Sequence, residues 1–132
     1  MSIESALFDR LSDAGGGLYA LVGTRIHPVR DPQGMDRTRF PCVTWQRIAE
    51  SRPNAFSSDA GVVDAAFQID GWATTFDGIR TLSEAIRERM QRWRNPSGTI
   101  VQDTFVESVN DEYLDDAEIF RVRFQIRLIY GE

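Results

Sequence analysis

Few residues in this chain have the types and spacing that chemistry needs. His27 is the only histidine and sits beside Pro28 in the stretch TRIHPV. A catalytic histidine needs an orienting carboxylate and a nucleophile, and nothing around His27 supplies either, so it reads as a structural or surface residue. Cys42, the only cysteine, follows Pro41 and enters an apolar run. That is the setting of a small buried hydrophobe, not of a reactive thiolate. One Cys and one His cannot build a structural zinc site. The acids Asp111, Glu112, Asp115, Asp116 and Glu118 could hold a hard cation in principle. They lack the alternating spacing of a calcium loop, so they read as a solvated acidic turn or a partner-binding patch. Gly15–Gly17 follows a predicted helix instead of preceding one, and the chain has no lysine. A phosphate-cradling loop is therefore not expected.

Two further groups lie on predicted strands. Asp64 and Asp70 are six positions apart, roughly 20 Å along a strand. Paired carboxylates of the glycosidase type need about 5–9.5 Å. Arg121, Arg123 and Arg127 alternate along one face of the last strand. Like charges on one face repel unless acids oppose them. The row is a solvent-facing side or an interface. A nucleic-acid groove is disfavoured, because the aromatic residues of that strand fall on its opposite face. No catalytic, metal or cofactor-binding residue is expected.

The elements that must position these residues follow from periodicity. Residues 2–13 predict an amphipathic helix, with Ile3, Leu7 and Leu11 on one face, Ser2 as its cap and Gly15–Gly17 as its stop. Leu18–Val22 predicts a short helical turn ended by Gly23, and Arg25–Val29 an extended segment. Pro28–Pro41 reads as a long loop, an unusual length for a segment without a role. It carries Arg37 and Arg39. Cys42–Ile48 predicts a strand with Val43 and Trp45 inward. Glu50–Gly61 is a second polar loop bearing Phe56, which looks exposed. Val62–Trp72 predicts a strand with Val63, Ala65, Phe67 and Ile69 on one face and Asp64, Gln68 and Asp70 on the other. Thr75–Arg94 is the best helix: Ile79, Leu82, Ile86, Met90 and Trp93 form one stripe. Arg80–Glu84 and Glu88–Arg92 are spaced as i,i+4 ion pairs. Ile100–Val109 is extended but poorly patterned, and Asn110–Glu118 is an acidic turn. Ile119–Tyr130 alternates strictly, with Phe120, Val122, Phe124, Ile126, Leu128 and Tyr130 on one face.

This order predicts an α+β fold: a single mainly antiparallel sheet with two helices packed on its apolar face. The chain has 132 residues, 42% hydrophobic and 27% charged, close to the average of a soluble globular domain. Area scaling predicts one domain with a folded surface of roughly 7,000 Å². No apolar run reaches the ~20 residues of a membrane span. The N-terminus lacks the basic and small-residue regions of a signal peptide. All 15 basic residues are arginine, against 20 acids, for a net charge of −5. That balance argues against a surface built to grip nucleic acid. Arginine also suits ion pairs at interfaces.

Five stretches, taken in order, resemble the tail completion, or tail terminator, proteins of long-tailed bacteriophages and of phage-derived particles such as gene transfer agents. They are ALFDRL, LYALVGTRIHPV, FPCVTWQRIAE, QIDGWATTFDGIRTLSEAIRERMQRW and EIFRVRFQIRLIY. Their order, spacing and total length carry the likeness more than any one motif. The resemblance implies a virion structural protein with no catalytic residues. Six copies would form a ring that caps the tail tube, stops its growth and joins tail to head at the neck, after assembly in the host cytoplasm. DNA would pass through the ring without sequence-specific binding. Another neck component, such as a head-completion protein, is the alternative. The expected partners are the chain itself, the tail tube protein and a head-completion protein, with no cofactor. The residues expected at subunit or partner contacts are Arg121, Arg123, Arg127, Asp64, Asp70, Phe56, Arg37, Arg39, Asp115 and Asp116.

Overall fold

A computed structural model describes residues 2–28, 40–51, 62–96, 100–115 and 118–131. The elements are α1 (Ile3–Leu11), α2 (Gly17–Val22), β1 (Ile26–Pro28), β2 (Cys42–Ser51), β3 (Val62–Ala73), α3 (Phe76–Met90), β4 (Val101–Leu114) and β5 (Ile119–Gly131). The strands form one five-stranded sheet in the order β1-β2-β3-β5-β4. Three of its four pairings are antiparallel, so the fold is α+β with a mostly antiparallel sheet.

Local chemistry explains the helices. The Ser2 hydroxyl accepts from Ser5 N–H at 3.1 Å and starts α1, whose stripe Ile3, Leu7 and Leu11 is buried. Gly23 closes α2 at φ +57°, a left-handed conformation that glycine adopts without a side-chain penalty. Thr75 caps α3 through Gly78 N–H at 3.0 Å. Ile79, Leu82, Ile86 and Met90 of α3 are buried. The inner sheet face contributes Val43, Phe67, Ile69, Val122, Phe124, Ile126 and Leu128 to the same core. Gly71 lets α3 approach the sheet. A Cβ there would lie 2.8 Å from Leu82 Cδ2, 3.0 Å from Val122 Cγ1 and 3.1 Å from Ile86 Cδ1.

Four details differ from the expectations or go beyond them. First, β1 runs parallel to β2, with Ile26 opposite Val43. A parallel pair needs a long return connection, which accounts for the length of the chain between Pro28 and Cys42. Second, α3 ends at Met90, four residues before the expected Arg94. Arg92 takes a left-handed φ of 60° and gives its N–H to Thr104 O at 2.9 Å, so the chain leaves the helix to run beside β4. Trp93 stays in the core although it is outside the helix. Third, β4 extends to Leu114, so Asn110–Leu114 is strand and the acidic turn begins at Asp115. β4 looked poorly patterned because its register shifts between Val101 and Asp103 and again between Val106 and Ser108. Each extra residue moves the following side chains to the other face and breaks the two-residue period. Fourth, the helix-surface pairs differ from those expected: Arg80 meets Asp111 of β4, Glu88 meets Arg89, and Arg92 meets Asp103.

An ion cluster around the buried Arg89 ties the end of α1 to the end of α3. Arg89 is 8% exposed. Its guanidinium bonds Glu88 at 2.8 Å and Asp13 at 3.3 Å, while Arg10 Nε donates to Arg89 O at 2.8 Å. The hydrogen bond from Arg89 holds the Glu88 carboxyl below its usual pKa. Asp13 is also held low, first by the Gly15 N–H and then by Arg89.

Candidate interaction surface

The outer sheet face, away from the helices, carries the arginines and aspartates singled out in the sequence, and the strand register determines how they meet. Asp70 lies directly opposite Arg123 on the neighbouring strand. Arg123 Nε donates to Asp70 Oδ1 at 3.1 Å, and Gln68 Nε2 donates to Asp70 Oδ2 at 3.2 Å. Asp70 is only 6% exposed, so these two donors replace the water that its charge has lost. Arg127 sits opposite Ala66 and reaches diagonally to Asp64, with its Nε 2.8 Å from the carboxylate. That hydrogen bond, reinforced by the charge attraction, raises the Arg127 pKa above its ordinary value.

Arg121 faces Trp72 on one side and Glu112 on the other. Its guanidinium carbon lies 5.5 Å from the Trp72 ring centroid, a cation–π contact. Its NH2 group bonds Glu112 Oε1 at 2.7 Å. Trp72 in turn stacks on Phe40 at 6.2 Å and donates Nε1–H to Thr44 Oγ1 at 3.2 Å. Between the ion-pair rows runs an uncharged row, with Gln46 opposite Gln68 and Gln68 opposite Gln125. A polar cleft of about 200 Å³ opens beside Trp72, Arg121 and Arg123.

Each of the three arginines therefore meets an acid of its own subunit. The arrangement is a neutralised face, able to pack against a protein surface but without a free cation row for phosphate. Asp64, Asp70, Arg121, Arg123 and Arg127 are brought together. Asp115 stands apart and exposed, where the chain turns from β4 to β5. Phe56, Arg37, Arg39 and Asp116 lie outside the described residues. His27 is half-buried and Cys42 is buried in β2. Among the described residues no three His, Cys, Asp or Glu side chains gather as metal ligands.

Two features were not anticipated from the sequence. Glu112 had been assigned to a turn, although it is the strand partner of Arg121. The other is an aromatic cluster where β4 and β5 meet the start of α3. Phe120 packs against Tyr113 at 4.7 Å and edge-on to Phe76 at 6.2 Å, and Phe76 is 60% exposed. The two bulges slide β4 by two residues along β5 and so set Tyr113 opposite Phe120, and the local sequence carries no sign of them.

The neutralised sheet face and the exposed aromatics of the described residues form a surface chemically suited to packing against protein. The chain matches the family described as Tail completion protein gp17 over residues 5–131, and it belongs to that family. Its fold is similar to a chain in the structure titled "Virion of native gene transfer agent (GTA) particle". The TM-score is 0.78 at 15% identity, over 99% of this chain and 96% of that one. No curated protein matches by sequence. The family places the chain among the structural proteins of phage-like tails.

Proposed function

We propose that this chain is a tail terminator of a phage or phage-derived particle. Copies of it close into a ring on the last ring of the tail tube, stop tube growth and offer the surface that joins the tail to the head. The reading is carried by the family match over residues 5–131. Likeness of fold to a chain of a gene transfer agent virion supports it. So does the outer sheet face, where Arg121, Arg123 and Arg127 are each paired with an acid of the same subunit. A ring with net charge −5 per copy lets DNA slide past without holding it. On this reading the chain acts at the tail–neck junction. The tail tube and a head-completion protein are its neighbours, and no catalytic group takes part.

The test is assembly without the chain. Particles made from a deletion strain should carry tails of uncontrolled length that do not join heads. Antibody label on wild-type preparations should sit at the head-proximal end of tails, including tails that lack heads. Label that stays with heads assigns the chain to head completion. Absence of the chain from purified particles overturns the proposal.

A further inference from the structure

The sheet has two edges, β1 and β4, and β4 is covered along only part of its length. Its first half is capped by the chain leaving α3. Arg92 N–H donates to Thr104 O at 2.9 Å, and Val106 N–H donates to Gln91 Oε1 at 3.1 Å. Thr104 and Val106 therefore turn their backbone groups away from β5, opposite Leu128 and Ile126. Every second residue of β5 keeps that orientation, so the residues opposite Phe124, Val122 and Phe120 turn outward as well. They are Val109, Asp111 and Tyr113. No described residue meets their outward N–H and C=O groups.

The open edge runs into an aromatic notch. Thr74, Tyr113, Glu118 and Phe120 line a cavity of about 430 Å³. Tyr113 and Phe120 lie ring to ring at 4.7 Å, and Phe76 meets Phe120 edge-on at 6.2 Å. The faces of aromatic rings attract cations. Glu118 adds a carboxylate, and none of the lining residues is basic. The surroundings have the same sign. Glu107, Asp111, Glu112, Asp115 and Glu118 belong to the described part of 107–118, a segment without a base. Arg80 and Arg121 reach it and pair with Asp111 and Glu112, which leaves the segment net negative. Ring faces, a carboxylate and a negative rim suit an ammonium or guanidinium group.

Among its described residues this chain has no basic strand edge to offer. β1, the opposite edge, is three residues long, contains no arginine and ends in Pro28, which has no N–H. The outer-face arginines are held by acids of their own subunit. We propose that the Val109–Tyr113 edge and the notch beyond it bind an extended, basic segment of another protein of the particle. The segment adds as a strand to β4 and places one arginine or lysine side chain against Tyr113 and Phe120, beside Glu118. Backbone hydrogen bonds at Val109, Asp111 and Tyr113 hold it. The acids and ring faces select the cation and reject an acidic segment. The inference rests on the tail reading above for the partner being a protein of the same particle.

A synthetic peptide is the probe: nine residues of alternating valine and threonine, with two arginines in place of threonines. Its counterpart has two glutamates there instead. The full chain, labelled with nitrogen-15, is titrated with each and followed by amide NMR. With the arginine peptide, the amides of Val109, Asp111 and Tyr113 should shift and gain protection from hydrogen exchange. The glutamate peptide should bind about tenfold more weakly. Tyr113→Ala should weaken the arginine peptide about fivefold. Asp111→Pro deletes one outward N–H at an edge position that tolerates proline. It should bind about fivefold more weakly than Asp111→Ala, which keeps that N–H. Gln46→Ala on β2 should change nothing. Unfolding midpoints of all variants are read on the same samples, and the exposed Tyr113 carries the test if Asp111→Pro does not fold. Equal affinity for the two peptides, or no shift at these amides with either, overturns the proposal. Protection of the same amides that grows with the concentration of the chain alone gives the edge to a second copy and overturns the proposed occupant. The terminator reading stands or falls separately, on tail length and head joining.

Discussion

The outer-face arginines look alike in sequence but differ in what they cover, and their removal should rank accordingly. Arg123→Ala takes the main donor from Asp70, whose side chain is 9% exposed against 35% for Arg123. Breaking a fully buried ion pair costs about 3–5 kcal/mol, and an exposed one about 0.2–1 kcal/mol. With one partner buried and the other a third open to water, about 2 kcal/mol is expected. For a chain of this length that lowers the melting midpoint by about 7 °C. Gln68 remains as a donor to Asp70, which keeps the loss below the buried-pair limit. Arg127→Ala breaks a pair whose side chains are 45% and 25% exposed, so the midpoint should move little. Arg121→Ala falls between, since it loses a cation–π contact and leaves a solvated Glu112 behind. Asp70→Asn added to Arg123→Ala should recover about half of the loss, because it removes the stranded charge. Urea unfolding followed by tryptophan fluorescence measures all four variants. The reasoning fails if Arg127→Ala costs as much as Arg123→Ala, or if Asp70→Asn deepens the defect.

Other outcomes follow from the same contacts. Gly71→Ala forces a methyl against Leu82, Val122 and Ile86, all at most 1% exposed, and should cost about 1–3 kcal/mol in urea unfolding. Gly23→Ala places a side chain at φ +57° with nothing within 4 Å, so the cost is backbone strain alone, about 1 kcal/mol. In acid, the Arg89 clasp should weaken. The folded-state pKa values of Asp13 and Glu88 lie below their ordinary ones. Their contribution is therefore complete above about pH 4 and is lost as pH falls through the depressed values. Melting midpoints between pH 6 and pH 2 should drop in that lower range, and Arg89→Met should flatten the drop.

The legible parts of this fold are those where one period runs unbroken. β5 alternates over twelve residues from Ile119 to Tyr130, β3 over Val63–Ile69, and α3 keeps its stripe to Met90. Each matches the buried pattern. The same alternation put Asp64, Asp70, Arg121, Arg123 and Arg127 on one face. Their pairing was not legible, because it depends on how far β5 slides along β3. One step of register would separate Asp70 from Arg123. β4 defeated the reading because its phase is shifted between two bulges, and because its acidic end looks like a turn and slides by two residues along β5, which hid both the Glu112–Arg121 pair and the Tyr113–Phe120 contact. β1 falls within the extended segment expected at Arg25–Val29, but three residues are too few to carry the direction of its pairing. The α3 ion pairs failed for another reason: Asp111 and Asp103 of β4 lie within reach of Arg80 and Arg92 and outcompete partners one turn away.

The outer face and the β4 edge ask different things of a partner. On the face, each arginine already has an acid, so a partner must strip water from satisfied pairs and gains only what packing against Trp72 or the glutamine row returns. At the edge, Val109, Asp111 and Tyr113 of β4 turn backbone donors and acceptors outward, and no described residue meets them. A strand docking there gains backbone bonds without breaking any bond inside the subunit. Gln91 and Arg92 cover the first half of β4, so an added strand cannot slide past Val106. From Val109 to Tyr113 the open stretch is about 14 Å long at strand rise, too short for backbone hydrogen bonds alone to hold a partner strand.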